Sequence, residues 1–293
     1  MKPARHREVT FEPFEASSIS NYEAKFKAAE EVAEMAQSGQ VIGAGSGSTA
    51  FLAVRAIASR VRHGELHDIR LIPTSIESEL TITGLGLVQA DLAEVAPDWL
   101  FDGADEVDPD GNLIKGRGGA LFREKLLFSA CQLRRVLIDP SKRVDRLGTS
   151  FAVPVEVVPR AASVATASLK SLGATEIVIR TGSGKDGPVL TEQGNLLVDC
   201  RFETIEDSLE DEINLITGVL DSGLFQNYAP EISKPEPLAG EDRPDCSQRM
   251  RRLVRRLIAI RQRTKARVSR PRKRRASTAS MPKQASRTSC TSW

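Results

Sequence analysis

Cysteine, histidine and aromatic side chains are all scarce in this chain. Its four cysteines (Cys131, Cys200, Cys246 and Cys290) stand far apart and form no C-x-x-C pair, so neither a zinc ribbon nor a disulfide framework has support. Two of the three histidines, His63 and His67, share the stretch HGELH. Its glutamate is out of place for the H-E-x-x-H metalloprotease pattern and its glycine weakens a helix, so a solvated loop is expected. No apolar run approaches the ~18 residues of a membrane-spanning helix. Met1 to Ser20 lacks the apolar centre of a secretory signal, and Glu8, Glu12 and Glu15 argue against a transit peptide. The cytoplasm is the expected compartment.

Charge, by contrast, is plentiful and unevenly placed. The formal balance of +2 hides a basic end: residues 243–293 hold seventeen Lys/Arg and one acidic residue, Asp245, for +16, while the preceding residues balance at −14. The two parts need separate readings. The end is rich in Arg, Ser and Thr, with at most one basic amphipathic helix around Leu253, Leu257 and Ile258, and reads as a disordered tail. Such a tail suits non-specific contact with polyanions.

Between these ends, helix and strand patterns alternate. EAKFKAAEEVAEMAQ places Phe26, Ala29, Val32, Ala33 and Ala36 on one helical face. QVIGAG reads as a strand, followed by a small-residue turn and the helical TAFLAVRAIASRVRHG. Further strands are expected in DIRLIPTS, DWLFDGAD, RRVLIDPS and AVPVEVVP, with the helix ALFREKLLFSACQ among them. This alternation predicts an α/β fold with a mostly parallel, Rossmann-like sheet and functional loops at the strand C-termini. From about Thr149 the order becomes strand, helix, strand, Gly-rich hairpin, strand, helix, strand, as in a smaller ferredoxin-like α+β module. The expected organisation is a main domain at 21–148, the inserted module at 149–225, a divergent return segment at 226–242 and the tail at 243–293.

Four segments carry chemistry. GAGSGST opens a helix straight after a strand, so backbone N–H groups and the hydroxyls of Ser46, Ser48 and Thr49 suit a phosphate monoester. It fits neither the dinucleotide fingerprint nor a P-loop. FDGADEVDPDGN ends an apolar strand, and Asp102 and Asp105 flank Gly103-Ala104 in a turn able to aim both carboxylates into one cleft. Its register does not supply a calcium loop. NLIKGRGGALFREKLL then brings Lys115, the small-residue loop Gly116-Arg117-Gly118 and the helical run Arg123-Glu124-Lys125. A lysine, glycine-rich backbone and two aspartates can gather around a sugar's hydroxyls and a developing oxyanion. Glu124, taken as about two turns into its helix, is expected to face the cleft. In IDPSKRVDRLG, Lys142 follows a strand and can reach a substrate phosphate or hydroxyl; the plain alternative is an exposed lysine on a helix capped by Ser141.

Together and in this order, GAGSGST, DGADEVD, LIKGRGGALFREK, DPSKRVDRLG, PVEVVP, GNLLVD and DEINLITGVLDSGLF resemble the type A ribose-5-phosphate isomerases, from about Glu23 to Phe225. The resemblance implies a cofactor-independent aldose–ketose isomerase acting on ribose 5-phosphate and ribulose 5-phosphate through an enediolate, as a homodimer or homotetramer. It implies Glu124 as the proton acceptor and Lys25, Ser46, Gly47, Ser48, Thr49, Asp102 to Asp105, Lys115 to Gly118 and Lys142 as substrate contacts. Lys115 is expected to stabilise the oxyanion, and Asp102 to move hydroxyl protons. Ser46 stands where the family generally has threonine. The apolar strand that usually closes the family's main sheet is replaced by NYAPEISKPEPLAGEDRPD, which predicts an incomplete sheet edge. The alternative, a non-catalytic sugar-phosphate sensor bound to nucleic acid through its tail, would not need Glu124 and Lys115 together.

Overall fold

The computed structural model describes residues 11, 13–184 and 186–233, so the expectations for the tail lie outside the described residues. The chain begins α1 (Tyr22–Met35), β1 (Val41–Ala44), α2 (Gly47–Arg62), β2 (Arg70–Pro73), α3 (Ile76–Gly84) and β3 (Val88–Gln89). It continues through β4 (Trp99–Gly103), β5 (Glu106–Val107), β6 (Leu113–Ile114), α4 (Leu121–Ala130) and β7 (Arg134–Leu137). Then come β8 (Val153–Val157), α5 (Ala162–Ser171), β9 (Ala174–Ile179), β10 (Leu196–Phe202), α6 (Leu209–Asn214), β11 (Val219–Ser222), β12 (Leu224–Phe225) and β13 (Glu231–Ile232).

The fold is α/β. Six strands form the central sheet in the order β13-β7-β4-β1-β2-β3, every neighbouring pair parallel. Its inner strands β1 and β4 are buried almost throughout because both faces are covered. Ile42, Leu71, Phe101 and Leu137 point into one cluster with Ala29 and Val32 of α1 and Ala53 and Ile57 of α2. Their alternating neighbours Val41, Ile72, Leu100 and Val136 point into another, with Leu127 and Phe128 of α4. Two smaller antiparallel sheets complete the described part: β11-β8-β10-β9, backed by α5 and α6, and β12-β6-β5.

Several local expectations are corrected. The buried face of α1 carries Lys25, Ala28, Ala29, Val32 and Ala33, while Phe26 is 37% exposed. The charge of Lys25 is tolerated there because serine hydroxyls accept from it, as described below. Residues 76–84, not read as a helix from sequence, form α3, capped by reciprocal bonds in which Ser75 Oγ accepts from Ser78 N and Ser78 Oγ accepts from Ser75 N. GVLDSGLF is two strands rather than one. It breaks at Gly223, where a Cβ would lie 2.2 Å from Lys115 O, and β12 leaves β8's sheet to pair with β6. The edge expected to be incomplete carries β13, paired with β7 at Arg135 and Val136, although only two residues long. His63 and His67 are exposed, and no group of His, Cys, Asp or Glu able to hold a metal occurs among the described residues. No helix among them is long and apolar enough to cross a membrane.

Lys125 fastens α4 to the second part of the chain. Its Nζ donates to Glu210 Oε1 at 2.6 Å and Leu224 O at 2.7 Å, both buried, and to Asp221 Oδ1 at 2.7 Å, part-buried. Removing one member of a buried ion cluster strands the opposite charges, at a cost of about 3–5 kcal/mol. Lys125→Met is therefore expected to lower unfolding free energy by about that amount, measured by urea denaturation. A variant as stable as the parent would show that the cluster does not hold the two parts together.

Candidate active site

The order of the central sheet fixes where a site can form. From β1 the chain runs outward through β2 and β3, then returns to the other side of β1 as β4. The loops after β1 and β4 therefore diverge, and in open α/β sheets ligands bind in the crevice this leaves. Here the crevice is a cleft of about 600 Å³. All fifteen residues singled out from sequence line it: Lys25, Ser46 to Thr49, Asp102 to Asp105, Lys115 to Gly118, Glu124 and Lys142.

One end of the cleft has features that suit an anion. β1 passes into Gly45, whose Cβ, if present, would lie 2.1 Å from Asp102 Oδ1, so only glycine lets the two loops approach. Ser46 is extended (φ −118°, ψ 168°) at the start of α2, and Gly47 has φ +81°. Gly47, Ser48 and Thr49 of α2's first turn line the cleft, and a helix start of this kind suits an anion. Lys25 Nζ donates to Ser48 Oγ at 3.1 Å and to Ser20 Oγ at 3.2 Å. Burial lowers its pKa, partly offset by Asp139. Lys142 follows β7 in a short turn capped by Asp139, which accepts from Ser141 N at 3.0 Å; the expected cap, Ser141, is thus the donor. Lys142 Nζ lies 4.8 Å from the centre of the Phe151 ring.

The other end gathers buried charge. Asp102, at the end of β4, is 1% exposed; its Oδ1 accepts from Gly103 N at 2.7 Å and Ser46 N at 3.2 Å. Lys115 Nζ sits 2.9 Å from Asp102 Oδ2 and 3.5 Å from Glu124 Oε1, and donates to Gly103 O. Burial alone would depress the pKa of Lys115, but Asp102 and Glu124 outweigh it and hold the ammonium above its usual value. Glu124 lies in the first turn of α4, not two turns in, and is 5% exposed. Ser46 Oγ donates to its Oε1 at 3.0 Å, while Oε2 is buried with no hydrogen-bond partner. Burial raises the Glu124 pKa to about 7, against the opposing pull of Lys115. Its neighbours on the helix face away: Lys125 into the cluster above, and Arg123 onto Glu192 at 2.7 Å. Asp105 accepts from Arg117 N at 3.0 Å, and burial raises its pKa too.

An anion-binding helix start, a buried lysine and a carboxylate poised near neutrality suit proton transfer on a phosphorylated substrate. Comparison with known proteins agrees. The model of ribose 5-phosphate isomerase A (phosphoriboisomerase A) matches residues 70–234. The chain is 44% identical over 216 residues to ribose-5-phosphate isomerase A of Thermosynechococcus vestitus, covering 73% of this chain and 91% of the relative. The chain belongs to the ribose 5-phosphate isomerase A family. The Pyrococcus abyssi member is 42% identical over 71% of this chain and 91% of its own length. Among solved structures, ribose 5-phosphate isomerase A of Methanocaldococcus jannaschii superposes with TM-score 0.68 at 40% identity, covering 71% of this chain and 92% of that one. A D-ribose-5-phosphate isomerase in complex with phospho-erythronic acid gives 0.69 at 38%, covering 73% and 96%.

Other residues of this family member reach the cleft without having been singled out. Glu77 of α3 lines the cleft and accepts from Gly47 N at 3.0 Å, which fixes the loop after β1; burial raises its pKa. Glu192, in the turn before β10, accepts from Ile76 N at 2.5 Å and from Arg123. Glu106 of the acidic segment does not line the cleft; it accepts from Gly148 N at 2.6 Å and Phe151 N at 2.7 Å, and the Phe151 ring lies beside Lys142. The serine that caps α3 was the one available signal for Glu77. None existed for Glu192, whose partners lie 116 and 69 residues away.

Proposed function

We propose that the protein interconverts ribose 5-phosphate and ribulose 5-phosphate through an enediolate, with Glu124 as the base. The observation that carries this reading is Glu124 Oε2: a buried carboxylate oxygen, unsatisfied by protein, on a cleft-lining group whose pKa lies at about 7. A base with a pKa near the working pH is the most effective one. In the open-chain aldose, Glu124 takes the proton from C2, the C1=C2 bond forms and the oxygen at C1 carries the enediolate charge until the C2 hydroxyl proton reaches it through Asp102. The same carboxyl then delivers its proton to C1 while the oxygen at C2 becomes the new carbonyl. Lys115 faces the negative charge that develops on oxygen, and a preorganised cation in a buried site stabilises such charge far better than water does. Asp102, already paired with Lys115, moves hydroxyl protons and assists ring opening, and Asp105 orients hydroxyls. Lys25, Lys142 and the residues Ser46 to Thr49 hold the phosphate. Mixing the full chain with ribose 5-phosphate in chelator and following ketose formation tests the reading. Binding without turnover would favour a non-catalytic sensor instead.

The same reading extends to the rest of the molecule. Residues 149–225 act as a ferredoxin-like module, supported by the antiparallel order β11-β8-β10-β9 with two helices. The active form is a homodimer or homotetramer working in the cytoplasm. The end of the chain at 243–293, at +16, makes non-specific contacts with polyanions. Retention of the full chain on DNA should then fall steeply with salt and vanish on deletion of 243–293, with isomerase activity retained. Retention that survives high salt would contradict this.

A further inference from the structure

Arg180 and Asp199 do not line the cleft, yet they touch the loop that forms one of its walls. Arg180 follows β9, and its backbone is fixed on both sides: its N donates to Leu197 O at 2.8 Å and its O accepts from Val189 N at 2.8 Å. The guanidinium is largely withdrawn from solvent and forks onto Asp199 of β10, with Nε 2.8 Å from Oδ2 and Nη2 bonded to Oδ1. The remaining arm, Nη1, donates to Gly116 O at 3.1 Å and Arg117 O at 2.8 Å. One side chain, oriented by a carboxylate, thus holds two successive carbonyls of the Lys115–Gly118 loop.

The consequence follows from the peptide bond itself. In a trans peptide the C=O and the next N–H point in opposite directions. Drawing Gly116 O toward Arg180 turns Arg117 N–H the other way, where it donates to Asp105 Oδ2 at 3.0 Å. Drawing Arg117 O the same way turns the Gly118 N–H toward the cleft that Gly118 lines. The loop has little slack to find another path: Gly116 has φ +94°, and a Cβ there would lie 2.8 Å from Leu121 Cβ.

We propose that Arg180, oriented by Asp199, is a positioning residue of the isomerase reaction: it sets the peptides at 116–118 that aim Asp105 and the loop amides at the sugar. The inference rests on the proposed function. It separates the sugar end of the cleft from the phosphate end, because Arg180 bonds no residue of the α2 loop.

The test uses the full chain. Arg180→Ala is expected to lower kcat on the order of 10- to 100-fold, the scale of a small misplacement of a reacting group. Competitive inhibition by inorganic phosphate should stay within about twofold of the parent, since the anion end is untouched. Arg180→Lys should restore only part of the loss, because an ammonium is a point charge and cannot span Asp199 and both carbonyls. Asp199→Ala should resemble Arg180→Ala, with the double variant no worse than either single one, as expected for groups acting as a unit. A kcat within about threefold of the parent, or phosphate affinity falling in step with kcat, would overturn the assignment. Absence of turnover in the parent chain would instead overturn the proposed function, and this inference with it.

Discussion

Glu124→Gln is expected to cut kcat by about 10²–10⁴-fold, the usual worth of a positioned general base, and to abolish exchange of the substrate's C2 proton with solvent. The amide keeps an oxygen for Ser46 Oγ, 3.0 Å from the native Oε1, so substrate binding should survive. The parent's pH profile should carry the same signature. Only the carboxylate can take a proton, and its pKa lies at about 7. Turnover should therefore fall about tenfold per pH unit on the acid side of that value. Stability runs the opposite way. The folded Glu124 keeps its proton between its ordinary 4.5 and about 7, where the unfolded chain has lost it. Its contribution is fully present below pH 4.5 and is lost as pH rises through about 7. Glu124→Gln should consequently unfold later than the parent at pH 8 and match it at pH 4. Near-parental turnover by a folded Glu124→Gln protein would end the assignment.

Lys115→Met should damage both chemistry and fold. Removing the group opposite the developing oxyanion is expected to cost about 10²–10³-fold in kcat. It also leaves Asp102 and Glu124, 1% and 5% exposed, without their cation. Stranding buried charge in this way should lower unfolding free energy by about 3–5 kcal/mol. A further readout ties the two effects together. Lys115 is what holds the Glu124 pKa down against burial, so residual activity should lose its acid limb at a pH above that of the parent. Lys142→Ala should behave differently, raising KM while kcat stays within a few-fold, because its ammonium lies at the anion end against Phe151. A fall in kcat for Lys142→Ala with Lys115→Met affected chiefly in KM would exchange the two roles.

The sequence alone determined what is local. Apolar runs alternating with amphipathic ones announced the parallel sheet. Four short motifs named every cleft residue read from sequence except Lys25, because the turn after a strand and the start of the next helix are adjacent in the chain as they are in space. Tertiary structure decided everything that depends on distant partners. Lys25 rather than Phe26 turns inward because Ser48, 23 residues away, accepts from it. Ser46 meets Glu124 across 78 residues, and Arg180 meets the Gly116 carbonyl across 64. β13 is too short for any periodicity, and only its pairing with β7 makes it a strand. Burial of a charge is not written into its own neighbourhood: its cost is met by partners that strand order alone brings together, and strand order is a property of the whole chain.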